Sequence, residues 1–501
     1  MLKPASLFTD GAVLCRRKEI RVFGEAEDGA AVTVTLTDRR GTLLAESECI
    51  CHGGRFTAYL RPQEARTGCC LFFTAGDTTV VSENVAIGDV FLAGGQSNME
   101  MELHNADGGL KQIAVHNDPQ LRFFNVPRMA YECEEAQKAL EEARWTAISP
   151  GIGGENSAVA YFFARKLRER MPEVPVGIIG CCWGGTSVTC WMKEETLRTI
   201  AEGIRYLDEY AEKTAGKDME TYLREEAVFR TGMDHWNETV EQYRQTNPDA
   251  EWKEVETACG PAPWFPPAGP GSPYRPGGLA KTMLAKTAPA VLTGILYYQG
   301  EDDADRTDHY DILMTALIRH WRDMFRDPEL PFLFVQLPMW AGFDAADNCR
   351  WAMLRKAQAA VRDAVRNTGM ICLLDEGEYG NIHPTNKRPV GERLAELAGA
   401  MIYGKGEVSP KALDKYTEGD TLTVLLSGPV TTKNGGEAEL LEIAAEEGEY
   451  APARAEIRGA ELLLRAEKVH CPVRARYAWT DWSDKVNLVG VNGLPLEPFN
   501  L

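Results

Sequence analysis

Three apolar runs in this chain end on glycine, and that pattern constrains the fold more than any other feature. Val90-Phe91-Leu92-Ala93 runs into Gly94-Gly95. Val176-Gly177-Ile178-Ile179 leads through Gly180 to Gly184-Gly185-Thr186. Residues 290–298 lead into Gln299-Gly300-Glu301. Continuous apolar runs bounded by glycine read as strands covered on both faces, the signature of a parallel sheet. Phe332–Leu337 and Gly369–Leu374 are two further strands of this kind. Helical patterns fall between them, with an apolar stripe at Ala160, Phe163, Ala164 and Leu167, and further helices over 310–325 and 354–366. Strands alternating with helices predict an α/β domain with a doubly wound parallel sheet.

The flanks read differently. Residues 1–85 contain the alternating run Ala31–Thr37, a less regular candidate at Arg55–Leu60, and turns at Asp38-Arg39-Arg40-Gly41 and His52-Gly53-Gly54. A small β-sandwich-like domain is expected there. Residues 405–501 return to β character at Thr421–Leu426 and Glu461–Leu464 and end in a loop-rich tail. The expected catalytic domain is therefore 86–404. Within it, 193–257 is charged and helix-favouring and reads as a helical insertion. Residues 259–278 form a Pro/Gly-rich loop carrying Trp264, Phe265, Tyr274 and Arg275. Such a loop is either functional or a surface excursion whose aromatics pack on the core.

At 501 residues the chain exceeds a single compact core. Its net charge of −20, without a long Lys/Arg cluster, argues against nucleic acid and anionic membranes as partners. No apolar stretch approaches the roughly 18 residues that cross a bilayer. Residues 1–10 lack the apolar core of a signal peptide, so a cytoplasmic location is expected, with a secreted form left open. Thirteen scattered cysteines without paired CxxC spacing point to reduced, buried thiols rather than a zinc site. A reactive thiol at Cys181-Cys182 is the less favoured reading.

Four segments place polar residues beside glycine or proline: Gln96-Ser97-Asn98, Gly184-Gly185-Thr186, Gln299-Gly300-Glu301 and Asn381-Ile382-His383-Pro384. Three end strands and the fourth follows one. Parallel strands deliver their C-terminal ends to one edge, where open α/β sheets bind ligands. Ser97 supplies a hydroxyl, and His383 a base titrating near neutrality. The N–H groups of Ser97 and Gly185 and the Gln299 amide supply donors for an oxyanion. Each residue also has a bland reading. His383 can shape a turn, Gly184-Gly185 can merely end a strand, and Gln299 can satisfy loop backbone. Asn98 can be an N-cap, and Glu301 a first-turn helix acid.

Together these blocks resemble the signature segments of the sialate O-acetylesterases, a family of the SGNH-hydrolase clan with acetylxylan esterases among its relatives. Further matches are Arg275-Pro276, Val335-Gln336-Leu337, Leu354–Gln358, Val390–Ala395 and Gly493–Phe499, in family order. The resemblance implies an SGNH-type doubly wound sheet, Ser97 as nucleophile, His383 as general base, and an oxyanion hole from Ser97, Gly185 and Gln299. It implies no metal or organic cofactor. Gln96, Asn98, Glu301 and Arg275 are the expected substrate contacts, with Arg275 pairing a sialate carboxylate or only bracing the helix that follows.

The family pattern breaks at one point. Many SGNH enzymes carry the orienting Asp three residues before the histidine, where this chain has Gly380. Glu378, or alternatively Asp375, is the expected acid; otherwise a backbone carbonyl holds the imidazole and leaves a Ser–His dyad. The function expected is a serine esterase that removes O-acetyl groups from sialic acid or related glycans. The alternatives are an acetylesterase of xylan or another polysaccharide, and a non-catalytic carbohydrate-binding protein.

Overall fold

The computed structural model describes residues 2–247, 250, 252–342, 346–433 and 435–501. Residues 248, 249 and 251 of the expected helical insertion lie outside the described residues. Seven strands form the backbone of the central sheet: β1 (Thr78–Gly95), β2 (Asp118–Asn125), β3 (Thr146–Ile148), β4 (Val176–Cys182), β5 (Gly294–Tyr298), β6 (Phe332–Val335) and β7 (Thr368–Ile371). Their spatial order is β3-β2-β4-β1-β5-β6-β7, parallel throughout except for β3 against β2. After β1 the chain lays β2 and β3 farther out on one side, returns to insert β4 between β2 and β1, then crosses to the other side with β5. The order therefore reverses at β1, and the C-terminal ends of β4, β1 and β5 flank a switch-point crevice.

The apolar runs are explained by cover on both faces. The principal helices are α1 (Ser97–Glu100), α2 (Ala158–Arg170), α3 (Ala201–Lys213), α4 (Met219–Thr246), α5 (Tyr310–Phe325), α6 (Arg350–Ala364) and α7 (Arg388–Ile402). On β1, Phe91 meets Phe163 of α2 edge-on at 4.8 Å. Three positions on, at Gly94, a Cβ would lie 2.7 Å from Trp321 of α5. Side chains at odd and even positions of a strand point to opposite faces, so α2 and α5 cover opposite sides. Beside α2, α7 approaches so closely that a Cβ at Gly391 would stand 2.6 Å from Phe162.

The terminal β regions attach in different ways. β1 is 18 residues long. Its first half pairs antiparallel with strand Arg66–Ala75, and its second half enters the parallel sheet. Four N-terminal strands (Val13–Cys15, Ala31–Thr37, Leu43–Ile50 and Arg66–Ala75) thus share one eleven-stranded sheet with the centre, while Lys3–Pro4, Ile20–Glu25 and Arg55–Leu60 form a separate three-stranded sheet packed into the same hydrophobic core. Residues beyond about 410 build a second core around Leu422, Val424, Ile443, Leu462 and Tyr477, joined by Met339, Cys372 and Leu374 from the central region. Polar ties also cross this seam. Asp481 accepts hydrogen bonds from the N–H groups of Trp351 and Ala352 at the start of α6. Fully buried Arg355 donates to the Thr480 carbonyl. No helix among the described residues is long and apolar enough to cross a membrane.

Candidate active site

The register brings the strand ends level. Gly95 lies opposite Cys182 on one side and Tyr298 on the other. The segments that follow converge on one cavity of about 540 Å³, lined by Gln96, Ser97, Gly184, Gly185, Glu301, Ile382 and His383 among others. All four segments singled out from the sequence reach it. Close approach here demands glycine. A Cβ at Gly184 would stand 3.3 Å from that of Ser97, and Gly185 adopts φ +67° with Trp264 packed over it.

Ser97 opens α1, a helix of only four residues. So short a helix contributes little dipole, and the local backbone does more. Among the described residues, the N–H groups of Ser97 and Gly185 have no protein acceptor. The Ser97 hydroxyl lies 2.8 Å from His383 Nε2. Burial, reinforced by the charge of Lys387, pushes the His383 pKa down to about 4, so the ring is neutral near pH 7. The set contains what acyl transfer requires: a hydroxyl beside a neutral imidazole, and free donors facing the same space.

The imidazole has no carboxylate partner among the described residues. Asp375 forms a two-point ion pair with Arg393 of α7, at 2.8 and 3.0 Å, and also meets Lys433. Glu378 accepts from the Asn381 side chain at 2.7 Å and from the Thr385 N–H at 3.1 Å. Asn381 in turn accepts from the His383 N–H at 3.0 Å. Glu378 thus braces the loop that carries His383 without touching the ring.

Other expected residues are placed differently from their sequence reading. Gln299 is buried, and its amide donates to the Thr186 carbonyl at 3.2 Å and to Asp303 at 2.6 Å. With both N–H bonds engaged it has none to offer an oxyanion, which corrects the expectation. Gln96 is better placed. Its carbonyl oxygen accepts from Gly300 and Asp302 N–H, while its amide nitrogen has no acceptor among the described residues. Arg275 lines neither this cavity nor the one beside it. Its guanidinium donates to the carbonyls of Ala130 and Ser272, so it braces the loop rather than facing a ligand. Asn98 is neither an N-cap nor exposed to the cavity. It bridges Glu301, the Ile382 carbonyl and Lys387 in a buried network. Glu301 lines the cavity, and burial raises its pKa.

Three residues were missed from sequence. Glu100 accepts from the Gly184 N–H at 2.7 Å and pairs with Arg128, tying α1 to the glycine loop. Asp303 gathers Ser187, Val188, Tyr206 and Gln299. Lys387 is buried, with its pKa pushed down to about 7 chiefly by desolvation. The available signal was position: each lies within four residues of a block already singled out. Cys181 is buried and Cys182 partly so, and desolvation raises both thiol pKa values, so neither is held as a thiolate.

Fold and site together define the class, a mixed α/β scaffold that holds a serine and a histidine at the switch point of its central sheet. A family model described as "carbohydrate esterase, sialic acid-specific acetylesterase" matches residues 87–218 and 268–399. The chain belongs to this family, and with it to the carboxylic ester hydrolases. It is 25% identical to the sialate O-acetylesterase of Rattus norvegicus, over 95% of this chain and 90% of the relative. The sialate O-acetylesterase of Homo sapiens is 24% identical, over 92% of this chain and 84% of the relative. A crystal structure of a carbohydrate acetylesterase from Xanthomonas citri superposes with a TM-score of 0.76 at 27% identity, covering 100% of this chain and 99% of that one. The interval between the two matched segments holds α4 and the start of the Pro/Gly-rich loop.

Proposed function

We propose that the protein is a serine esterase of SGNH type that removes O-acetyl groups from sugars, with O-acetylated sialic acid as its preferred substrate class. The observation that carries this reading is the 2.8 Å contact between Ser97 Oγ and His383 Nε2 in a cleft with free N–H donors. Ser97 attacks the acetyl carbonyl while His383 takes its proton. The N–H groups of Ser97 and Gly185 and the Gln96 amide hold the tetrahedral oxyanion. Collapse breaks the C–O bond to the sugar, and His383 returns the proton to the departing alcohol. Water, deprotonated by His383, then attacks the acetyl-enzyme; the bond from carbon to Ser97 Oγ breaks, His383 returns the proton to Ser97, and acetate leaves. With no carboxylate on the ring, this is a dyad. It forgoes the stabilisation of the imidazolium that an acid provides.

The family and its relatives support an acetylated-sugar substrate. A purely binding role is disfavoured, since a lectin has no use for a hydroxyl held on a neutral imidazole. Residues 86–404 are the proposed catalytic domain, flanked by 1–85 and 405–501. The thirteen unpaired thiols support a reducing, cytoplasmic compartment. The test compares wild type and Ser97→Ala on p-nitrophenyl acetate, O-acetylated sialic acid and acetylated xylooligosaccharide. The substitution should lower turnover at least a thousandfold, as loss of a nucleophile does. Equal turnover by the two proteins removes Ser97 from the mechanism, and greater wild-type activity on xylan removes the sialate preference.

A further inference from the structure

The cleft extends beyond Ser97. A second cavity of about 280 Å³ shares Gly185, Trp264, Tyr274 and Asp302 with the first. Its far wall is α3, which contributes Tyr206, Glu209, Tyr210 and Lys213, and Arg306 from the turn after β5 joins them. Its mouth is formed by Trp264, half exposed, and Phe265, 85% exposed. Both belong to the interval that the family model does not match. Aromatic faces beside a few placed polar groups are the usual lining of a small-molecule site.

The cations facing the joined space can be sorted by their partners. Arg128 is held by Glu100 and lies 5.4 Å over the Trp183 ring. Arg306 is 2.7 Å from Glu209 and 4.3 Å over the Tyr206 ring. Lys213, the last residue of α3, has no ion pair or hydrogen bond to a side chain among the described residues. Two carboxylates face the same space. Glu209 is drawn to Arg306 and Arg205. Asp302 is pushed up to about pKa 7 by burial and by Asp303 and Glu301. An unspent positive charge therefore stands beside aromatic surface, in a pocket that opens onto the reacting serine.

We propose that this annexe binds the carboxylate-bearing part of an acidic sugar, with Lys213 as its charge partner, while the acetyl ester lies at Ser97. The proposal rests on the acetyl-sugar reading above and replaces Arg275 as the carboxylate contact. Trp264 and Tyr210 offer faces for the sugar ring, and Arg306 keeps free guanidinium N–H bonds beside its pair with Glu209.

The test reads binding rather than turnover. N-acetylneuraminic acid and its methyl ester, which carries a methyl group in place of the negative charge, are titrated against wild type, Lys213→Glu and Lys213→Arg by calorimetry. Wild type should bind the acid about fivefold more tightly than the ester, the scale of one exposed charge pair. Lys213→Glu should abolish or reverse that preference, and Lys213→Arg should retain it. Equal affinity for acid and ester, no binding of the acid, or a preference that survives Lys213→Glu overturns the proposal. Because neither probe carries an O-acetyl group, the outcome is independent of the Ser97→Ala assay. Failure of that assay with the acid preference intact refutes the esterase reading alone.

Discussion

His383 carries a pKa of about 4 because burial penalises its charged form and Lys387 repels it. On the proposed mechanism the neutral ring is the active form. Activity is therefore lost as pH falls through about 4, and is already complete well below the ordinary histidine value of about 6.5. A pH profile of kcat/KM on p-nitrophenyl acetate should show its acid limb near 4. Lys387→Met removes a positive charge, so the His383 pKa rises and the limb moves to higher pH. Burial is the larger cause, so the limb should stay below 6.5. A wild-type limb at 6.5, unmoved in the variant, contradicts this account of the ring. The same scale shows where sequence reasoning stops. That Gln299 stands near Ser97 was legible from its strand-glycine block. That its amide turns to Thr186 and Asp303 was not, because those partners are set by packing between β5 and the loop after β4.

Among the elements, the loop from β7 to α7 deserves the closest test. Asp375 and Glu378 both lay within reach of His383 in sequence, yet they do different work. Asp375 fastens the loop to α7 through Arg393, with both side chains nearly buried. Asp375→Asn should therefore lower stability by on the order of 3 kcal/mol, the cost of breaking a buried pair, and leave kcat/KM nearly unchanged. Glu378→Gln keeps one acceptor where two donors need it, sets an amide donor against either the Asn381 amide or the Thr385 N–H, and so disturbs the loop that holds the His383 N–H. It should lower kcat by about tenfold through misplacement of the ring, with little change in thermal stability. Melting curves and kinetics on the two variants separate the roles, and a large loss of kcat in Asp375→Asn reverses the assignment. Strand and helix identities were legible here because buried parallel strands advertise themselves as apolar runs. The pairing of acid with arginine was not, since Arg393 is 18 residues from Asp375 along the chain.

For the whole molecule, the two β flanks were both legible as β structure, but their attachment was not. Four of the N-terminal strands are continuous with the central sheet through β1, a join that no turn residue marks. The C-terminal core is separate and is pinned to α6 by a buried ion pair between Arg362 and Glu497. Glu497→Gln should destabilise this seam by on the order of 3 kcal/mol. Hydrogen exchange should show the loss first in residues beyond 410, with the central sheet still protected. Uniform loss of protection through both cores would mean that they unfold as one unit. At this scale the net charge of −20 repels an anionic sugar from a distance. Recognition of an acid must therefore come from local cations, and Lys213 is placed to provide it.

In the proposed reaction Ser97 becomes acetylated. Rapid acid quench of the enzyme during turnover of p-nitrophenyl acetate, followed by peptide mass mapping, tests it most directly. Wild type should carry one acetyl group on the peptide containing Ser97, and Ser97→Ala none. Product release without any acetylated enzyme, or acetylation of another residue that persists in Ser97→Ala, would contradict it.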